Sequence, residues 1–420
     1  MASARNGEMS LISWSNLPED LLASIGKRME DHFDIVRFRA VCHSWRCSIA
    51  APSKFPPLPL ELHFLTHDHV HPIATFSVSR RTVFRLELPA EYESSQAPFN
   101  NAWLIKVQEE EDGGKVRLIN PFSRFPMKTL LDSFPKELNL LNFRLKQIST
   151  TFSIERSDPF DSSDEGSEDD EDEVDREGPM SCKVAFSRGP RPNDVNSHGV
   201  FSIIGGELYS MRIGDELWTS MDCADTYRDI TNYKGNVFAV IRNGICSKNN
   251  GASLSMTHLV LPPRSFSGER YLVESCGDLF LVSRDFTTCL NLIYYDNDYK
   301  CFVKREGATE IPFKFEVFKM NNISPSPMVF QWEAVSNLGD RIFCVSRDCS
   351  YSVAAQDFPG CKGNCIYFVD ELVDVHDYVI DDNKIFVYNL EDGSAAPLLA
   401  FPGLPNIFWP PRACLSSSGK

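Results

Sequence analysis

The sequence predicts a mainly β protein, a six- or seven-bladed β-propeller preceded by a small three-helix unit. Three observations point there. An aliphatic-aromatic pair, with another apolar residue two places after the aromatic, recurs six times along the chain. Glycine stands just before four of those pairs. Strong helical periodicity is confined to one block near the N-terminus, Leu17 to Arg46.

In that block Leu21, Leu22, Ile25 and Met29 form one apolar stripe at helical spacing. Pro18 suits a first helical turn, Glu19 and Asp20 suit its positive end, and Asn16 is a reasonable cap. Asp34 is placed to cap a second helix carrying Ile35 and Phe38, and a third holds Cys42, Trp45 and Ile49. Gly26 inside the first helix costs about 1 kcal/mol relative to alanine, which asks for tertiary or partner support. A unit this small barely covers its own apolar residues, so a surplus stripe fits docking on another protein. A DNA-reading unit is the competing interpretation. Its cations (Lys27, Arg28, Arg37, Arg39, Arg46) are matched by Glu19, Asp20, Glu30, Asp31 and Asp34. Phosphate binding needs an excess of positive charge, so no nucleic-acid partner is expected.

Prolines in "APSKFPPLPLEL" (Ala51 to Leu62) stop the helices and favour an extended connector. The expected division is a disordered N-terminus over 1–13, the helical unit over 14–50, a linker over 51–59 and the propeller over 60–415. Within the last, Trp103, Ile105 and Val107 alternate, Asp112-Gly113-Gly114 supplies a turn, and Val116 and Leu118 resume the alternation, which reads as a hairpin.

The six repeated pairs are Val83-Phe84, Leu208-Tyr209, Val237-Phe238, Leu279-Phe280, Ile342-Phe343 and Ile385-Phe386. Gly206, Gly235, Gly277 and Gly339 precede four of them and Asn383 the last, where a turn needing positive φ would open the strand. Units of about 40 to 50 residues with several strands each fit a kelch-like propeller, with loops of unequal length. A β-sandwich of similar strands is the alternative.

The formal net charge of −16 is concentrated in "DPFDSSDEGSEDDEDEVDRE", Asp158 to Glu177, which holds twelve acids and one base. So many like charges with few apolar residues predict a disordered insert, bounded at 155–180. Ser162 and Ser167 each have an acid three places on, the pattern an acid-directed kinase prefers, so both are candidate phosphorylation sites.

No apolar run approaches the ~18 residues of a bilayer span, and "MASARNGEMSLISWSNLP" is too weakly apolar for a secretory signal. No membrane partner is expected, and the expected location is nucleus and/or cytoplasm. The 13 cysteines are scattered and read as small buried hydrophobes. Cys344, Cys349, Cys361 and Cys365 cluster without the paired spacing of a zinc knuckle. His63, His67, His69 and His71 read as a solvated loop or edge strand rather than a metal site. Asp370-Glu371 and Asp381-Asp382 point to opposite faces of a strand and make no acid/base couple by themselves. No catalytic residue, metal or cofactor is expected.

"LPEDLL" (Leu17 to Leu22), Ile25 and "RFRAVCHSWR" (Arg37 to Arg46) resemble the F-box, by which substrate receptors dock on the Skp adaptor of SCF (Skp–cullin–F-box) ubiquitin ligases. Met29 stands where leucine is usual and His43 where Lys or Arg is common. "NLGDRIFCVSRDCSYSVAAQDFPGCKGNCIYFVDE" (Asn337 to Glu371), "NKIFVYNLEDGS" (Asn383 to Ser394) and "IFWPP" (Ile407 to Pro411) resemble plant F-box proteins with a KIB-type propeller, similar to the Skp-interacting-partner (SKIP) type. The acidic insert is not part of that pattern. The resemblance implies a non-catalytic receptor subunit that binds a Skp-type adaptor and cullin through the helices and an unknown client through the propeller. It implies adaptor contacts at Leu17, Pro18, Leu21, Leu22, Ile25, Phe38, Val41, Cys42, Trp45 and Arg46, and makes the Cys361/Cys365 pair part of a fold signature. A propeller enzyme and a non-ligase F-box scaffold are the alternatives.

Overall fold

The computed structural model describes residues 14, 17–26, 28–29, 32–50, 56, 60–65, 72–87, 102–109, 116–122, 144–156, 183–187, 195–215, 218–221, 226–242, 245–249, 256–260, 268–296, 301–306, 312–325, 328–358, 360–370, 372–374, 385–401 and 408.

Three helices come first: α1 (Glu19–Gly26), α2 (His32–Ala40) and α3 (His43–Ser48). The carbonyl of Pro18 accepts the first helical bond, from Leu22 N at 3.1 Å, so α1 starts where the proline allows. Asp34 lies inside α2 rather than ahead of it, because that helix begins at His32. Asn16 lies outside the described residues. Leu22 and Phe38 are buried, and the Phe38 ring packs on Trp45 with centroids 4.5 Å apart.

Gly26 has a packing reason to be glycine. A Cβ built there would sit 2.1 Å from Ile49 Cγ2, so the close approach of Ile49 to α1 leaves no room for one. Gly26→Ala is expected to destabilise the helical unit although alanine has the better propensity. Overpacking costs about 1–3 kcal/mol, against a propensity gain of about 1. Pairing it with Ile49→Ala should recover much of the loss, read by the helical signal in thermal melting.

The first sheet has nine strands: β1 (Glu61–Leu65), β2 (Pro72–Glu87), β3 (Ala102–Glu109), β4 (Val116–Ile119), β5 (Arg144–Arg156), β6 (Lys183–Ser187), β7 (Gly199–Ile204), β8 (Glu207–Arg212) and β9 (Thr219–Met221). Its order is β4-β3-β2-β5-β6-β7-β8-β9, with β1 on the first half of β2. Two four-strand units are thus fused where Phe152 and Ser153 of β5 pair with Val184 and Lys183 of β6. The expected hairpin is β3–β4. Both faces of β3 are covered, however: Trp103 and Ile105 face one apolar cluster, Leu104 another, and Lys106 is fully buried.

The second sheet is β10 (Tyr227–Tyr233), β11 (Asn236–Ile241), β12 (Ile245–Asn249) and β13 (Met256–Val260). Six strands follow: β14 (Gly268–Ser275), β15 (Asp278–Asp285), β16 (Ile293–Asp296), β17 (Cys301–Lys304), β18 (Phe315–Pro325) and β19 (Met328–Val335). Of these, β14-β15-β18-β19 form the third sheet. The last strands are β20 (Arg341–Val345), β21 (Ser350–Ala354), β22 (Cys365–Val369), β23 (Val373–Asp374), β24 (Ile385–Asn389) and β25 (Ala395–Pro397). They build a five-stranded sheet, β21-β20-β22-β24-β25, while β23 joins the small sheet β16-β17-β23.

The inner strands close a ring: β5 lies beside β6, β6 beside β10, β10 beside β14, β14 beside β21, and β21 beside β5. An apolar layer fills each sheet-to-sheet gap. Leu272 and Leu281 meet Phe238 and Val240 across one gap, and Val317 meets Phe343 and Ile366 across another. The ring closes where Val83, Leu104 and Phe122 pack on Ile342, Tyr351 and Phe358, and Phe408 bridges to Leu104. This is a β-propeller, and its core lies between the sheets as that architecture requires.

Four of the repeated pairs lie on the strand after a tight turn, as the glycines predicted. Lys234-Gly235 (φ 50 and 78) and Cys276-Gly277 (φ 53 and 79) have both central residues at positive φ, the turn whose twist suits a two-residue hairpin. Asn383 lies outside the described residues. Among the described residues the ring has five inner strands rather than six or seven blades. Ile342-Phe343 on β20 and Ile385-Phe386 on β24 share one sheet, so six repeats do not make six blades.

Candidate functional site

Two places on the molecule are built for contact. On the helical unit the apolar stripe divides. Leu22 turns inward and is fully buried, whereas Leu21 (49% exposed), Ile25 (41%), Val36 (45%) and Val41 (54%) face outward. Leu17 is half-buried and Pro18 exposed. Phe38 is core, Trp45 and Cys42 are partly covered, and Arg46 is exposed. Arg46 Nε donates to Arg39 O (3.2 Å), Arg39 Nη1 donates to Arg46 O (2.7 Å) and to Ile49 O, and Trp45 Nε1 donates to Trp14 O (3.1 Å). These bonds tie the end of α2 to α3 and hold the outward residues on a fixed frame. Of the residues named from the sequence, Leu22 and Phe38 are thus buried and Trp45 is partly covered, whereas Leu21, Ile25 and Val41 are exposed. Val36 was not named. Its helical spacing to Val41 is poor, and only the packing turns both outward.

The second place is the channel inside the ring. The five inner strands enclose a cavity of about 540 Å³. Its walls carry Ser149, Thr150, Thr151, Thr231, Asn232 and Ser275, with Pro56 of the linker also on its border. Lys183 on β6 and Asp229 on β10 pair at 2.7 Å deeper in, and Asp229 also accepts from the backbone N–H of Ile230 (2.7 Å) and Leu272 (2.8 Å). Burial outweighs those partners and holds the Asp229 carboxyl above its usual range.

Buried ion pairs continue round the ring. Arg81 on β2 bonds Asp348 and Glu155 (2.6 Å each), Lys106 on β3 also bonds Asp348, and Gln108 bridges Arg81 to Glu155. Glu269 on β14 receives Arg347 at 2.8 Å and Arg228 at 3.7 Å, and Asp370 receives Arg284 at 2.9 Å. Burial works against the charged form of Asp348, but Lys106 and Arg81 outweigh it and hold that carboxyl well below the usual range. The same balance lowers Glu269. This network was not foreseen. Its signal was the tetrapeptide Val-Ser-Arg-Asp, present at Val282 to Asp285 and again at Val345 to Asp348, at the ends of two apolar strands. Asp370 is thereby committed to Arg284, and Asp381-Asp382 lie outside the described residues.

The cysteine cluster sits in the layer that closes the ring, with Cys344, Cys349 and Cys365 buried. Burial pushes the Cys344 thiol up and the Cys361 thiol up to about 11, so both stay protonated at neutral pH. Cys42, in contrast, is held below its usual value by Ser44, and Cys47 and Cys276 are exposed. Alkylation of the folded protein is expected to modify Cys42, Cys47 and Cys276 and to spare Cys344 and Cys349 until denaturant is added, read by peptide mass spectrometry. His63 is on β1, and the other three histidines, Ser162 and Ser167 lie outside the described residues. Among the described residues no helix is long and apolar enough to cross a membrane.

Comparison with known proteins supplies the family. The model of the KIB1-4 beta-propeller matches residues 75–389, most of the chain and all but the first and last strands of the ring. The chain belongs to the KIB1-4 beta-propeller family. Relatives extend the match into the helices. The Arabidopsis thaliana F-box protein SKIP23 is 25% identical, covering 98% of this chain and 97% of its own length. A second A. thaliana F-box protein, At2g26160, is 26% identical over 86% of this chain and 96% of its own. This KIB1-4 chain is thus similar to plant F-box proteins over nearly its whole length. A solved apocarotenoid oxygenase of Synechocystis aligns with 76% of the chain at 12% identity and a TM-score of 0.28, a likeness that carries no argument about activity.

Proposed function

We propose that this KIB1-4 propeller protein is the substrate-recognition subunit of an SCF-type E3 ubiquitin ligase, without catalytic residues of its own. The observation that carries the reading is the outward apolar face of Leu21, Ile25, Val36 and Val41 on a helical unit matched by relatives named as F-box proteins. Exposed apolar residues grouped on so small a unit need a partner surface to cover them. A Skp-type adaptor is that partner, and a cullin joins through the adaptor. The propeller grips a client, and the ligase's ubiquitin-charged enzyme is held near client lysines. The gain is one of effective concentration and orientation, so no acid, base or nucleophile of this chain is required.

The linker over 51–59 separates the two tasks. A chain beginning at Ser53 is expected to be soluble and β-rich by circular dichroism and to bind no Skp adaptor, while the full chain captures it. Adaptor capture by the shortened chain, or failure of the full chain to capture it, would refute the assignment of the helical unit.

A further inference from the structure

The ring channel is polar and electrically balanced, which narrows what it can receive. Its two acids on the walls, Asp229 and Glu274, face two bases, Lys183 and Arg341. Lys183 is bound to Asp229, and Arg341 Nε donates to Ser352 Oγ at 2.9 Å. No net charge is left to select a charged ligand. The hydroxyls and amide of Ser149, Thr150, Thr151, Thr231, Asn232 and Ser275 share the remaining wall with apolar side chains such as Ile148, Phe152 and Leu272. Ser350 Oγ, also on the wall, is buried with no hydrogen-bond partner within the described protein. A buried hydroxyl without a partner is unfavourable, and a small shift of the wall would let a ligand supply the missing bond. The volume, about 540 Å³, falls within the range of sites that bury a compact ligand. One occupant of its border is already visible. Pro56, an uncharged ring, is buried there.

We propose that the channel is the client site and that it receives an uncharged, hydrogen-bonding peptide segment, rich in Ser, Thr, Asn, Gln or Pro, rather than an acidic or basic tail. This rests on the receptor reading and specifies where that receptor holds its client. The segment's backbone amides and small polar side chains bond the wall hydroxyls, and its lack of charge spares a desolvation cost that a channel with balanced charges would not repay. The channel also lies beside the helical unit, since α2 packs against β5, one of its walls.

The test uses the full-length chain and a phage-displayed library of unconstrained dodecapeptides. Selected peptides should be near neutral and enriched in Ser, Thr, Asn, Gln or Pro. Their affinity should fall by about tenfold or more, at least 1.4 kcal/mol, in Ser149→Trp, which fills the channel. Thr231→Trp, from another strand, serves where the first variant melts early, and both are checked for unchanged adaptor binding. No enrichment, enrichment of strongly charged peptides, or peptides that bind the filled channel as well as the open one would each overturn the proposal. If the adaptor is captured while the peptides fail, the channel assignment falls and the receptor reading stands. If adaptor capture fails, the receptor reading falls.

Discussion

Replacing Leu21 and Ile25 together by alanine is expected to weaken adaptor binding by about a thousandfold and to leave the melting temperature nearly unchanged. The two side chains point away from the helical core, 49% and 41% exposed, so truncating them opens no cavity. Anchors at the centre of a small interface commonly cost about 2 kcal/mol each when truncated, and two of them multiply to the expected factor. Leu17→Ala with Pro18→Ala should act in the same direction, because both residues stand at the exposed entry to α1. Leu22→Ala, Phe38→Ala and Trp45→Ala should also abolish binding, but by a different route. Leu22 and Phe38 are buried, and Phe38 packs on Trp45 at 4.5 Å, so their loss unfolds the face rather than trimming it. Isothermal titration with the adaptor, alongside thermal melting, separates the two classes.

Asp348→Ala is expected to destabilise the propeller by about 3–5 kcal/mol, because Arg81 and Lys106 would be left as buried cations without their shared carboxylate. The site joins β2 and β3 to the segment between β20 and β21, where the ring closes, so the loss should unfold the ring rather than a loop. The pH dependence has a definite sign. The folded carboxyl titrates well below the usual range, so its contribution is complete above about pH 5, where an unfolded aspartate is almost fully ionised. It drains away as pH falls below that toward the folded value. Stability measured by urea melts should therefore drop in acid for the wild-type protein and drop less steeply in Asp348→Asn. Equal acid slopes in the two would contradict the role given to Asp348.

Legibility in the sequence followed the physics of each element. The helical block was readable because apolar spacing and Pro18 agree with one another, although Asp34 falls inside α2 instead of capping it, and the hairpins because only glycine readily takes φ near 80° at Gly206 and Gly277. The blade count was not readable from the repeat, since pairing across a sheet is non-local: β20 and β24 carry the same local pattern yet flank β22 in one sheet. Periodicity also could not show which members of a stripe turn inward. Leu21 and Leu22 are adjacent and equally apolar, and only the packing of the helices leaves one exposed and buries the other. The buried ion pairs were hidden for a related reason. Lys106 and Asp348 look like ordinary surface residues until strands far apart in the chain are brought side by side.

The proposed function requires that the helical face dock a ligase adaptor while the propeller stays free to hold a client. Mixing the purified full-length chain with a Skp adaptor and a cullin, and measuring the mass of the product by size-exclusion chromatography with light scattering, tests that claim most directly. A single ternary species with one copy of each is expected, lost when Leu21 and Ile25 are both alanine. Separate elution of the chain from the adaptor and cullin, or a ternary species that survives the double substitution, would contradict it.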